Sequence, residues 1–141
     1  MFKDIDGNLH ERKEVSYHHV FPRSRAYNGY SRRFISQSGL LLPMLNETHN
    51  KGPDALHANV PLAPMPNGKL QHHINRFANT CYEDNAFDRF LAITGYINDL
   101  IDITEDGGIA RQCQRIAENI ARQAPFILLG QVEMVFVEKP E

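Results

Sequence analysis

Eight residues, PLAPMPNG at positions 61–68, constrain this chain more than any other stretch. Pro61, Pro64 and Pro66 remove backbone donors and hold φ near that of extended chain, which excludes a regular helix and favours an extended surface crossing. The hydrophobic pattern changes period across it. Before the crossing lie two short apolar runs, EVSYHHVFP and GLLLPML, which read as extended segments closed or edged by Pro22 and Pro43. Between them RSRAYNGYSRRF reads as a loop with a turn at Asn28-Gly29. NETHNKGPDALHANV reads as a short or broken helix, with Asn46 as its N-cap and Gly52-Pro53 interrupting it.

After the crossing the spacing is helical. Leu70, Ile74 and Phe77 fall on one face, and Phe87, Phe90, Leu91, Thr94, Ile97, Leu100 and Ile101 on another, with Asp84 or Asn85 as cap. Ile109, Cys113, Ile116, Ala117, Ile120 and Ala124 continue the pattern to an expected stop at Pro125. Asp106-Gly107-Gly108 is the expected turn of an antiparallel helical hairpin. The tail, with Val132, Met134 and Phe136 alternating, favours a final strand. The fold class is therefore α+β, as one domain of 141 residues.

Charge divides the chain at nearly the same place. Residues 1–76 carry ten Lys/Arg against six Asp/Glu, and residues 77–141 carry five against eleven. All seven histidines lie in the first part, at 10, 18, 19, 49, 57, 72 and 73. Chemistry or anion contact is expected there, with packing or interaction surface in the acidic part. No apolar run approaches the ~20 residues that span a bilayer. The polar opening, MFKDIDGNLHERKEV, is not expected to be a signal peptide, and a cytoplasmic setting is expected. Cys81 and Cys113 form no CxxC pair, so neither a disulfide framework nor a cysteine cage is indicated; both read as buried apolar residues.

The chemistry concentrates in SYHHVFPRSR. Adjacent residues of a strand face opposite sides, so His18 and His19 cannot do the same job. One can hold an ion while the other faces a substrate. A histidine pair on a strand, then a basic loop, an apolar run with Pro43, and a histidine at a helix start, His49, resembles the HNH endonucleases. The resemblance covers roughly residues 15–60. It implies a ββα-metal (His-Me finger) unit within residues 1–60, joined by the crossing at 61–68 to a mainly helical half at 69–141 that packs on it.

The resemblance further implies His18 as a metal ligand, His19 as the general base, and His49 as the ligand from the helix. His57 is either a second helix histidine displaced by residues 51–54 or the true ligand with His49 outside the site. Leu40 stands where the family usually has an asparagine. The implied cofactor is one divalent ion, Mg, Mn, Ni or Zn. The implied activity is hydrolysis of DNA, with Arg23, Arg25, Arg32 and Arg33 on flanking phosphates. The family is common in phages and mobile elements, which suggests a bacterial or phage-infected cell. The alternative is a unit that keeps the fold without the chemistry and binds protein or nucleic acid, such as a small phage protein acting on a host factor. The wide apolar stripes also suggest a second copy or a host protein as partner of the acidic half. His72-His73 reads as an ordinary helix surface and His10 as a surface residue.

Overall fold

The computed structural model describes residues 1–137; the last residue of the expected terminal strand, Glu138, lies outside them. The chain is mixed α+β, with two small antiparallel sheets and a helical second half. Strands β1 (Phe2–Asp4) and β2 (Leu9–His10) form a hairpin, and β3 (Val15–His19) follows a single 3-10 turn. Helix α1 (Gly29–Ile35) separates β3 from β4 (Leu41–Leu45), and two short helices follow, α2 (Asn46–His49) and α3 (Leu56–Asn59). Beyond the crossing come α4 (Gly68–Asn79), α5 (Ala86–Ile103), α6 (Gly107–Gly130) and β5 (Val132–Met134). No helix among the described residues is long and apolar enough to cross a membrane.

Side-chain caps explain where four helices start. Asn28, Asn67 and Asn85 each accept a backbone N–H three residues on, and Asp106 accepts those of Gly108 and Ile109. Asn28 corrects one expectation: the segment read as a loop with a turn there is partly helix, because Asn28 caps α1 and Phe34 and Ile35 are buried. Asn46 is not a cap but the first residue of α2, and its side-chain amide donates to the Lys13 carbonyl.

Helix α5 buries Phe90, Ile93, Ile97 and Leu100, while Leu91, assigned to the stripe, is exposed; the inward face is rotated toward Ile93. Helix α6 does not stop at Pro125 but continues to Gly130. Pro125 and Ala121, whose carbonyl loses its partner, are both exposed, so water can satisfy that carbonyl. Ile127 is buried further along the helix and holds the extension to the core. The final strand is accordingly short, beginning only at Val132. It pairs antiparallel with β1, so the two ends of the chain share one sheet in the order β2-β1-β5.

β3 and β4 pair antiparallel, with His18 opposite Leu42 and Ser16 opposite Met44. A continuous core runs from Val20, Phe21, Leu42 and Met44 through Leu70 and Ile97 to Ile116, Ile120 and Ile127, joining the residues on both sides of the proline crossing. Cys113 is fully buried in it, while Cys81 is half-buried. His10, read as a plain surface residue, instead bridges Asp4 at 2.7 Å and Glu14 at 3.1 Å, tying the first hairpin to the turn before β3.

The close approach of α6 to α2 depends on Gly130. A methyl group there would lie 2.8 Å from Thr48 Cβ and 3.0 Å from Met44 Cε, inside van der Waals contact. Overpacking of this kind costs about 1–3 kcal/mol. Gly130→Ala is expected to lower the urea denaturation midpoint accordingly, and an unchanged midpoint would show that α2 and α6 separate freely.

Candidate metal centre

Three histidines from three elements converge. His18 comes from β3, His49 from the end of α2 and His57 from α3. One ligand nitrogen from each lies within 4.8 Å of those of the other two. Strand alternation puts Ser16 and His18 on the same side of β3, and His49 meets both. Gly52, at φ +88°, reverses the chain after α2 in the left-handed region that glycine adopts without strain. α3 then returns His57 to within 2.9 Å of His49, Nε2 to Nε2. His49 and His57 therefore lie together in the cluster, neither outside it.

The exposure is graded. His18 and His49 are buried, while His57 faces solvent. Burial dominates the electrostatics by disfavouring the charged imidazolium. It pushes His18 down to about 3 and His49 to about 4, with neighbouring imidazoles adding to the effect at both. His57 is lowered by burial as well. The cluster is thus a set of neutral imidazoles, and among the described residues no carboxylate joins it.

The inner two rings each have one nitrogen tied by a hydrogen bond to a neighbouring side chain outside the trio. His18 Nε2 lies 2.8 Å from Gln123 Oε1, an acceptor, while His18 Nδ1 is buried with no hydrogen-bond partner. A buried polar atom with nothing to bond is costly. His49 Nδ1 is 2.7 Å from Ser16 Oγ, which leaves Nε2 for the cluster. Neutral nitrogens at this spacing, one of them orphaned, fit a divalent ion. Metal-binding imidazoles characteristically have their second nitrogen tied to a neighbouring group, as Gln123 and Ser16 do here.

His19 stands at the end of β3, half-buried, outside the trio but close enough that its charge lowers both His18 and His49. Its own imidazole is pushed down by burial and then by Arg23. Arg23 and Arg25 occupy a 3-10 turn just after β3, and Arg32 and Arg33 lie on α1. All four are exposed, and among the described residues none forms an ion pair with an acidic side chain. Leu40 is fully buried, and its carbonyl accepts the Val20 N–H just past the histidine pair, so an apolar residue serves there as packing. His72 is exposed and His73 half-exposed on α4, as read from the sequence.

Sequence reasoning missed Gln123 and Ser16. Gln123 carries a signal all the same, since it continues the α6 stripe three residues after Ile120 and seven after Ile116. A polar residue at a core position needs a buried partner. No family model, no curated protein and no solved structure matches the chain.

The neutral cluster sets a pH dependence. Unfolded imidazoles take up protons near 6.5, whereas His18 and His49 in the folded chain resist protonation until about 3 and 4. The unfolded state thus binds more protons in that interval, and stability falls as pH drops from about 6.5 toward 4. His10 has the opposite sign: its bond to Asp4 raises its pKa, so its contribution is present below 6.5 and lost as pH rises through the raised value. Urea midpoints taken stepwise from pH 7 to pH 4 should fall; a flat profile would contradict a buried, neutral His18 and His49.

Proposed function

We propose that this chain is a metal-dependent endonuclease of the HNH type, hydrolysing DNA phosphodiester bonds with one divalent ion held by His18, His49 and His57. The observation that carries the reading is the buried, unpartnered Nδ1 of His18 beside two further imidazoles. Two inner ligands and one at the surface give a centre closed on the protein side and open toward solvent, the form that leaves room for water or substrate. Its three neutral nitrogens favour Zn or Ni over the harder Mg and Mn, which prefer oxygen.

Hydrolysis needs a proton acceptor for the attacking water and a counter-charge for the phosphate. His19 suits the role of acceptor, because its lowered pKa keeps it neutral at pH 7 and able to take a proton. The ion, when bound, supplies Lewis-acid stabilisation of charge on the phosphate and the leaving oxygen. Exposed Arg23 and Arg25 follow directly on β3 and would hold phosphates flanking the cut, with Arg32 and Arg33 extending the contact. Such contacts make binding fall with salt.

Leu40, buried where the family usually has asparagine, favours a second reading in which the same centre binds an ion and nucleic acid or protein without cleaving. Supercoiled plasmid with Mg²⁺, Mn²⁺, Ni²⁺ or Zn²⁺ in parallel separates the two. Nicking is expected. His19→Ala should retain the metal and lose about 10²–10⁴-fold in rate, the usual cost of removing a general base. His18→Ala should lose metal and cleavage together. Metal uptake with intact plasmid under all four ions would leave only the binding reading.

A further inference from the structure

The bare nitrogen of His18 is set by a chain of hydrogen bonds that begins at the proline crossing. Asn119 Nδ2 donates to the Pro61 carbonyl at 2.7 Å. That carbonyl can only accept, so the Asn119 amide has one orientation, and its Oδ1 points the other way. Gln123 Nε2 donates to Asn119 Oδ1 at 2.6 Å and to the Val20 carbonyl at 3.3 Å. Two acceptors thus fix the Gln123 amide with Oε1 toward His18. Oε1 accepts, so the proton of the neutral imidazole must sit on His18 Nε2, 2.8 Å away. Nδ1 is then a lone pair with no partner. His18, Gln123 and Asn119 are 2%, 2% and 8% exposed, so water does not compete for these positions.

We infer that Gln123, oriented by Asn119 and the Val20 carbonyl, is a positioning residue that commits His18 to coordinate through Nδ1. The inference rests on the metal reading of the trio. It adds that the choice of coordinating nitrogen depends on the helical half, because Gln123 is on α6 and Asn119, which accepts from it, is itself held by the Pro61 carbonyl of the proline crossing. Asn119 and Gln123 are one turn apart, so both project from the same side of α6. Nothing else among the described residues tethers the His18 ring by hydrogen bonding.

Long-range ¹H–¹⁵N correlation of the imidazoles in the full chain reads the outcome directly. Metal-free protein should show His18 protonated on Nε2 alone, and zinc should move Nδ1 while leaving that proton in place. Gln123→Met keeps length but removes the acceptor; it should mix the His18 tautomers and weaken zinc binding, measured by chelator competition, about 10–100-fold. Asn119→Ala keeps the Val20 anchor on Gln123, so it should lower stability yet hold the His18 tautomer and keep zinc affinity within a few-fold. Zinc binding His18 through Nε2, or a Gln123→Met protein that binds zinc like wild type, overturns the inference while the metal reading stands. Zinc that moves no histidine nitrogen in wild-type protein removes the metal reading and this inference with it. The wild-type spectrum decides the coordinating nitrogen even where a variant fails to fold.

Discussion

A neutral imidazole sealed inside the protein, with one nitrogen bonded and one bare, is the constraint around which the other elements are arranged. His18 sits on a two-stranded sheet too small to bury it alone. The burial comes in part from α6, which packs against β4 and offers Gln123. α6 can lie there only because it continues through Pro125 and meets α2 at Gly130, where no side chain stands in the way. Lengthening a helix past proline and keeping glycine in its last turn both oppose local helix propensity. Packing of Ile127 and the close fit against Thr48 offset that opposition.

The same geometry accounts for what the sequence disclosed. Periodicity after the crossing was legible because α4, α5 and α6 each bury one face, and the spacing of Leu70 and Ile74, or of Ile109, Cys113 and Ile116, follows from that alone. The histidine pair was legible because strand alternation forces neighbours apart. Pro125 misled because its local meaning, a helix stop, is overridden by burial two residues later. Asn28-Gly29 misled because asparagine favours both turns and N-caps, and only Phe34 and Ile35 entering the core decide between them. The pairing of β1 with β5 joins opposite ends of the chain, and nothing in a three-residue strand announces its partner. At the site, His49 and His57 were separately visible, but their union depends on the left-handed turn at Gly52.

Burial and charge together then explain why the trio is neutral. Four basic side chains without acidic partners among the described residues lie on the turn and helix that follow β3, in a half of the chain with a surplus of cations. Protonated imidazoles there would be disfavoured first by desolvation, with neighbouring imidazoles adding like charge at His18 and His49 and Arg23 adding it at His19. The cluster avoids the cost by staying neutral, as the lowered His18, His19, His49 and His57 all express. The same neutrality permits His18 to be buried without a counter-charge.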